Sequence, residues 1–130
     1  MPDERKPRIR NQPQVAVKTY SDGITAGGTK TIEFSVPSDQ LWGVEKILFE
    51  GPMNCDITVK HQEEESSNDI SWDGLKGYDF PLVFKKTATD VRFQLFPERS
   101  LKFDITNNEG STIYPKVKLY YTKNYKKGGG

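Results

Sequence analysis

Residues 31–36, Thr-Ile-Glu-Phe-Ser-Val, alternate between polar and apolar side chains. Because successive side chains of a β-strand point to opposite faces, this alternation predicts a strand with one face on a core and the other in water. Four further stretches keep the same period of two. The apolar members of all five are Ile32, Phe34 and Val36; Cys55, Ile57 and Val59; Val91, Phe93 and Leu95; Leu101, Phe103 and Ile105; and Val117, Leu119 and Tyr121.

Three more strands are predicted near 14–20, 43–50 and 80–85, and no stretch keeps a helical period. Val44 and Ile47 have opposite parity within one apolar run, which indicates a β-bulge in 43–50. The total of about eight short strands predicts an all-β chain. The expected architecture is a single antiparallel sandwich of two sheets, jelly-roll-like in its connections.

Turn-forming residues separate the predicted strands. Pro97-Glu98-Arg99 and Asn107-Asn108-Glu109-Gly110 are typical of hairpin turns, which would make the last three strands a meander. Residues 62–79 are the only long interruption, and they are predicted to form an acidic insertion loop.

Charge divides the chain into three parts. Residues 1–13 carry four basic and two acidic side chains and three prolines, which predicts an extended arm before the sandwich domain at 14–122. Residues 123–130 form a basic, Gly-rich tail. Five lysines and no acid lie in 116–130, so the remainder, 14–115, holds 19 − 4 − 5 = 10 basic and 18 − 2 = 16 acidic groups. An acidic body with basic arms favours self-assembly, although both arms would also serve as solubilising tails.

The residue types do not favour catalysis. The chain has one histidine, His61, which is predicted at the end of a core-facing row, where a base without an orienting partner does little acid–base chemistry. Cys55 is the single cysteine, so no internal disulfide forms, and its apolar row predicts a buried, inert thiol. Since no nucleophile elbow, zinc motif or paired cysteine motif is present, we expect neither an enzyme nor a cofactor.

Three kinds of ligand remain to be weighed. The acidic stretch contains carboxylates that would suit Ca²⁺, namely Glu63, Glu64, Glu65, Asp69 and Asp73, but their spacing matches no EF-hand loop and a solvated loop is the commoner meaning. Trp72 and Tyr78, with Trp42, resemble the aromatic surface of a glycan-binding module, unless Trp72 only pins the loop to the core. Lysines and tyrosines interleave from Lys116 to Lys127 as in a single-strand nucleic-acid groove, but a near-neutral chain does not favour that ligand.

Two stretches resemble a known class of proteins. Residues 24–37, ITAGGTKTIEFSVP, running on through Leu41-Trp42-Gly43-Val44, are similar to the first strands of small β-sandwich virion proteins of tailed bacteriophages. Residues 103–121, FDITNNEGSTIYPKVKLYY, resemble their closing hairpin. The resemblance implies a structural protein of the decoration, head-fibre or tail-accessory kind.

We therefore expect a non-enzymatic virion structural or accessory protein that forms homo-oligomers and attaches to a larger viral lattice. The alternatives are a carbohydrate-binding module and, third, a nucleic-acid-binding accessory protein. The absence of an apolar leader or span predicts assembly in a host cytoplasm, with no membrane partner. The residues expected to contact partners are Arg5, Lys6, Arg8 and Arg10 in the arm; Glu63, Glu64 and Glu65 in the loop; and Lys123, Lys126 and Lys127 in the tail.

Overall fold

The computed structural model describes residues 12–62, 69–84 and 93–125. Within them the chain forms nine strands and a single 3₁₀ turn at Gly77–Asp79. The strands are β1 (Gln12–Thr19), β2 (Thr29–Ser35), β3 (Gln40–Glu50), β4 (Asp56–Gln62), β5 (Asp69–Lys76), β6 (Leu82–Val83), β7 (Phe93–Leu95), β8 (Ser100–Thr106) and β9 (Lys116–Tyr125).

The strands form two antiparallel sheets, and the predicted all-β sandwich is confirmed. The five-stranded sheet has the order β1-β9-β3, with β6 and β7 both on the far edge of β3. The four-stranded sheet has the order β2-β8-β4-β5. Since β6 and β7 lie end to end along β3, they act as one interrupted strand, and the connections are then those of a jelly roll.

The predicted meander of the last three strands is wrong. β7 pairs with β3 in one sheet, β8 lies in the other sheet, and β9 returns to the first. The segments 96–99 and 107–115 therefore cross between sheets. A turn signal shows where the chain reverses but not which strand the next segment joins. Because packed sheets are only about 10 Å apart, a short segment can reach the other sheet as well as the neighbouring strand.

Residues 62–79 are not one long loop, because β5 and the 3₁₀ turn occupy 69–79. β5 pairs with β4, but the register shifts between Ile57 and Val59, since Ile57 lies opposite Leu75 and Val59 opposite Trp72. The bulge shifts the apolar side chains of β5 from even to odd positions, so the strand does not show strict alternation in the sequence and was not predicted. Residues 63–68 lie outside the described part. Residues 12 and 13, which the prediction assigned to the arm, are the first two residues of β1, and residues 1–11 lie outside the described part.

The core lies between the sheets and contains most of the residues that alternation places there. Phe34 and Phe103 are almost fully buried and meet edge to face, with ring centroids 5.9 Å apart. The bulge predicted in 43–50 is confirmed, because Tyr120 lies opposite Lys46 and Tyr121 opposite Val44, which leaves Glu45 as the extra residue. Val91 lies outside the described residues.

Candidate protein-interaction face

The outer face of the four-stranded sheet is polar, and its side chains bond to one another. Thr31 Oγ1 donates to Asp104 Oδ1 at 2.6 Å, and Lys60 Nζ lies 2.8 Å from the other oxygen of Asp104. On the row beside them, Glu33 lies opposite Lys102. Burial alone would raise the pKa of Asp104, but the hydrogen bonds from Lys60 and Thr31 outweigh it and the pKa is lowered. The outer face of the four-stranded sheet is therefore a polar surface that is compatible with exposure to solvent.

A second set of ionic contacts lies at one end of that face. Lys76 Nζ contacts Asp56 Oδ1, and Asn108 Nδ2 donates to Asp56 Oδ2 at 3.0 Å. These hydrogen bonds, first that of Lys76, lower the pKa of Asp56, and the pKa of Lys76 is raised by its bond to Asp56.

The outer face of the five-stranded sheet is different, because apolar side chains lie open to solvent on it. Val15 and Val17 of β1 are 52% and 50% exposed, and Val83 of β6 is 53% exposed. One cross-strand row runs Val15, Tyr120, Lys46, Val83. The next row places half-buried Leu48 opposite Lys118. We call this surface the valine face, defined by Val15, Val17, Leu48, Val83 and Tyr120.

The charges on the valine face are paired locally. Lys46 Nζ lies 4.8 Å from the centre of the Tyr120 ring, which is within cation–π range. Lys118 Nζ is 2.9 Å from Glu50, and Lys116 Nζ is 3.8 Å from it. The hydrogen bond of Lys118 lowers the pKa of Glu50, and the same bond raises the pKa of Lys118. Because these ion pairs are solvent-exposed, they contribute little to the stability of the fold, and one glutamate beside three lysines leaves the face positively charged.

An aromatic cluster closes the side of the sandwich between β5 and the β6–β7 edge. Trp72 lies 5.3 Å from both His61 and Phe93, measured between ring centres, and 5.9 Å from Phe84. All four rings are half-buried. Trp72 therefore packs against the core, as the structural alternative predicted, and His61 contributes its ring to the packing.

The aromatic residues considered for glycan binding do not share a surface. Trp42 is only 6% exposed and stacks on Tyr121, with ring centres 4.1 Å apart, so a sugar cannot reach its face and that prediction is wrong. Tyr78 is 64% exposed, but it follows the end of β5 at which Lys76 pairs with Asp56. Trp72 lies opposite Val59 and four positions before Lys76 on β5. It is therefore about 13 Å from the end of the strand that Tyr78 follows. Glycan binding by Trp72 and Tyr78 stays a prediction.

The charged residues expected to contact partners lie mostly outside the described part of the chain. These are Arg5, Lys6, Arg8 and Arg10; Glu63, Glu64 and Glu65; and Lys126 and Lys127. Lys123 is described and half-buried; it lies opposite Gln12 on one side and Trp42 on the other. The start of β1 and the end of β9 therefore lie side by side at the same end of the sandwich.

Groups that would support chemistry are few in the described ranges. Cys55 is fully buried, and this burial raises the pKa of its thiol. No three His, Cys, Asp or Glu side chains come together there as metal ligands would. Nor does any helix in residues 12–62, 69–84 or 93–125 have the length and apolar character that a membrane span requires. Comparison with protein families, with characterised proteins and with solved structures gives no match for this chain.

The valine face was not found from the sequence. Alternation alone would place Val15 and Val17 inside, but the register with β9 sets Ala16 opposite Leu119 and Lys18 opposite Val117. Leu119 and Val117 are buried, so Ala16 and Lys18 point inward and the valines point outward. The sequence feature that would have indicated this orientation was the small side chain of Ala16 between two β-branched residues.

Proposed function

We propose that this protein is a non-enzymatic structural component that assembles with copies of itself, as proteins that build or decorate a virion do. The jelly-roll connections support this proposal, because viral capsid proteins use that architecture, although lectins use it as well. The resemblance of residues 24–44 and 103–121 to virion proteins points the same way. Since a fold hosts many functions, the main support has to come from the surface.

The valine face carries the proposal. Three β-branched side chains are about half exposed on it, whereas the outer face of the other sheet is filled by charged and hydroxyl groups that bond to one another. Apolar side chains that are exposed together on one side of a protein are a feature of protein interaction sites, whereas singly scattered ones are ordinary. Two of its three lysines lie beside Glu50 and the third lies over Tyr120, so covering the face removes charged groups from water and the stabilisation of the contact has to come from the apolar side chains.

The mechanism is burial of complementary surface. Burying apolar area stabilises a contact by about 25 cal/mol per Å², and a stable contact covers about 800 Å² on each partner. The outer surface is four strands wide, because β6 and β7 lie end to end along β3, and its longest strand has eleven residues. At about 4.8 Å per strand and about 3.3 Å per residue it covers up to about 700 Å², which is most of the area of such a contact.

Sedimentation of the purified protein over a range of concentrations tests the proposal. We expect a defined oligomer, and we expect Val17→Lys combined with Val83→Lys to dissociate it because both changes add charge to the valine face. Ser35→Lys combined with Thr58→Lys is the matched control, since it adds the same charge to the outer face of the other sheet. A wild-type protein that stays monomeric at every concentration, or that binds glycans selectively through Tyr78, would contradict the proposal.

A further inference from the structure

The described residues contain four sheet edges, and three of them carry features that discourage pairing with another chain. β5 is bent by a bulge at Gly74, where φ is +79°, and bulges turn an edge away from a partner. The β6–β7 edge is broken into strands of two and three residues. β2 presents only polar groups, including Glu33, on its outer side.

The fourth edge, β1, lacks these features. It runs for eight residues without a register shift and pairs along all of them with β9. In the described part of the chain no strand pairs with its other side. Its outward side chains include Val15 and Val17, which are β-branched and half exposed. A long, regular edge with apolar side chains is the kind that takes up another strand.

We propose that β1 pairs with β1 of a second copy, antiparallel, across a two-fold axis that passes between the two copies of Ala16. This inference deepens the proposed self-assembly and rests on it. Opposed residues of an antiparallel pair share a face, so in a symmetric pair one residue must lie opposite its own copy, with the axis midway between the two. With the axis at Ala16, Val15 of each copy lies opposite Val17 of the other. The two Val–Val pairs then join the valine faces of both copies into one larger surface, which stays open on its outer side for the face-to-face contact proposed above.

Two residues of β1 would normally protect an edge, and both fit this register. Pro13 lacks an N–H group, but it falls at the end of the seam, opposite Thr19 of the second copy. Lys18 points inward, and its Nζ lies 5.8 Å from the centre of the Phe34 ring, so the side chain is turned toward the sandwich. It falls opposite Gln14 of the second copy, which brings no like charge. A register with the axis at Val15 would instead set Pro13 opposite Val17.

Cysteine pairs test both the contact and its register. We expect a mixture of Val15→Cys and Val17→Cys proteins to form a disulfide-linked heterodimer under mild oxidation, because opposed Cα atoms lie about 4.5–5.5 Å apart, within disulfide range. Neither variant alone should cross-link, since its own Cα atoms would be diagonal neighbours, about 7–8 Å apart. Native Cys55 is buried and serves as an internal background control in the wild-type protein.

Val83→Cys mixed with Val15→Cys is the matched control, because Val83 is as exposed and lies on the same sheet but away from β1. The proposal is overturned if this control cross-links as well as the Val15–Val17 mixture does, or if Val15→Cys links mainly to itself. Hydrogen exchange of the wild-type protein is a second measurement that needs no variant. Protection of β1 amides should rise with protein concentration, and protection that is independent of concentration would also overturn the proposal.

The outcomes separate this inference from the proposed function. If the oligomer forms and Val17→Lys with Val83→Lys dissociates it, but the cysteine mixture does not cross-link, then assembly stands and edge pairing falls. If sedimentation shows only monomers and the mixture does not cross-link, both fall.

Discussion

At the residue scale, Asn107 joins the two connections at one end of the sandwich. Its side chain is fully buried, and Nδ2 donates to the carbonyl oxygens of Ile24 at 2.8 Å and Ser111 at 2.7 Å. Its Oδ1 accepts a hydrogen bond from the backbone N–H of Glu109 at 2.7 Å. Every polar atom of this side chain is therefore bonded, as a buried amide requires.

Replacing this amide should be costly. We expect Asn107→Ala to lower the free energy of unfolding by about 2–4 kcal/mol, because it removes three hydrogen bonds of a buried side chain and leaves a gap in the core, although the carbonyl of Ile24 keeps the N–H of Ile113. Asn108→Ala is the control, since Asn108 is exposed and bonds to Asn54 and Asp56 at the surface. Urea unfolding measures both variants, and equal losses would show that the burial of Asn107 is not what matters.

Gly74 is a second residue at which a substitution should affect stability, because its φ of +79° places it in the left-handed region. An added Cβ would meet no atom within 4 Å, so only backbone strain opposes a side chain there. We expect Gly74→Ala to lower the free energy of unfolding by about 1–2 kcal/mol. Gly110→Ala also has open space but no positive φ, and it should be close to neutral. A neutral Gly74→Ala would mean that the bulge can relax at no cost.

At the element scale, the two sheets differ in what their outer faces do. The four-stranded sheet binds its own polar groups across β2, β8 and β4, and the bridge from Thr31 through Asp104 to Lys60 spans all three strands. The five-stranded sheet leaves its outer apolar groups open. One sheet therefore has a polar outer face whose groups bond to one another, and the other has exposed apolar side chains on the face that we propose makes contact.

The bridge through Asp104 predicts a pH dependence of stability. Because the pKa of this carboxyl is lowered in the folded state, its stabilisation is complete above the unfolded value near 3.8 and is lost as pH falls through the folded value. We expect Asp104→Asn to cost about 1–2 kcal/mol at neutral pH, since the bridge is partly exposed. Unfolding measured from neutral pH downward should give a smaller acid loss for the variant than for the wild type. Equal pH profiles would contradict this role.

At the scale of the whole molecule, the described strands form one core. The sequence of residues 1–11 has no alternating apolar row that would predict a place in it. We expect deletion of 1–11 to change the melting temperature by no more than about 2 °C, as surface segments contribute little. Extending the deletion to Thr19 removes β1 and its hydrogen bonds to β9, and it should lower the melting temperature by more than about 10 °C. A large loss on the first deletion would place the arm in the fold. Thermal unfolding of both truncated proteins measures the difference.

The sequence predicted the core well and the contacts between strands poorly. Phe34 and Phe103 were found because alternation reports directly which side of a strand is apolar. The sheet that β8 joins was missed, because a short turn serves a hairpin and a crossing equally well. β5 was missed because its bulge breaks the period, and the outward valines because the register with β9, rather than their own apolarity, decides which way they point.

Gln12 at the start of β1 lies opposite Lys123 near the end of β9, so the first and last described strands meet at one end of the sandwich. Directly opposed residues of antiparallel strands are about 5 Å apart, so a short linker joining them would close a hairpin between β1 and β9. The same fold could then be opened elsewhere, for example at 63–68 between β4 and β5, to give a circular permutant with the same sheets. In such a protein the basic arm and tail would be replaced by the linker, while the valine face and the free edge of β1 would stay in place.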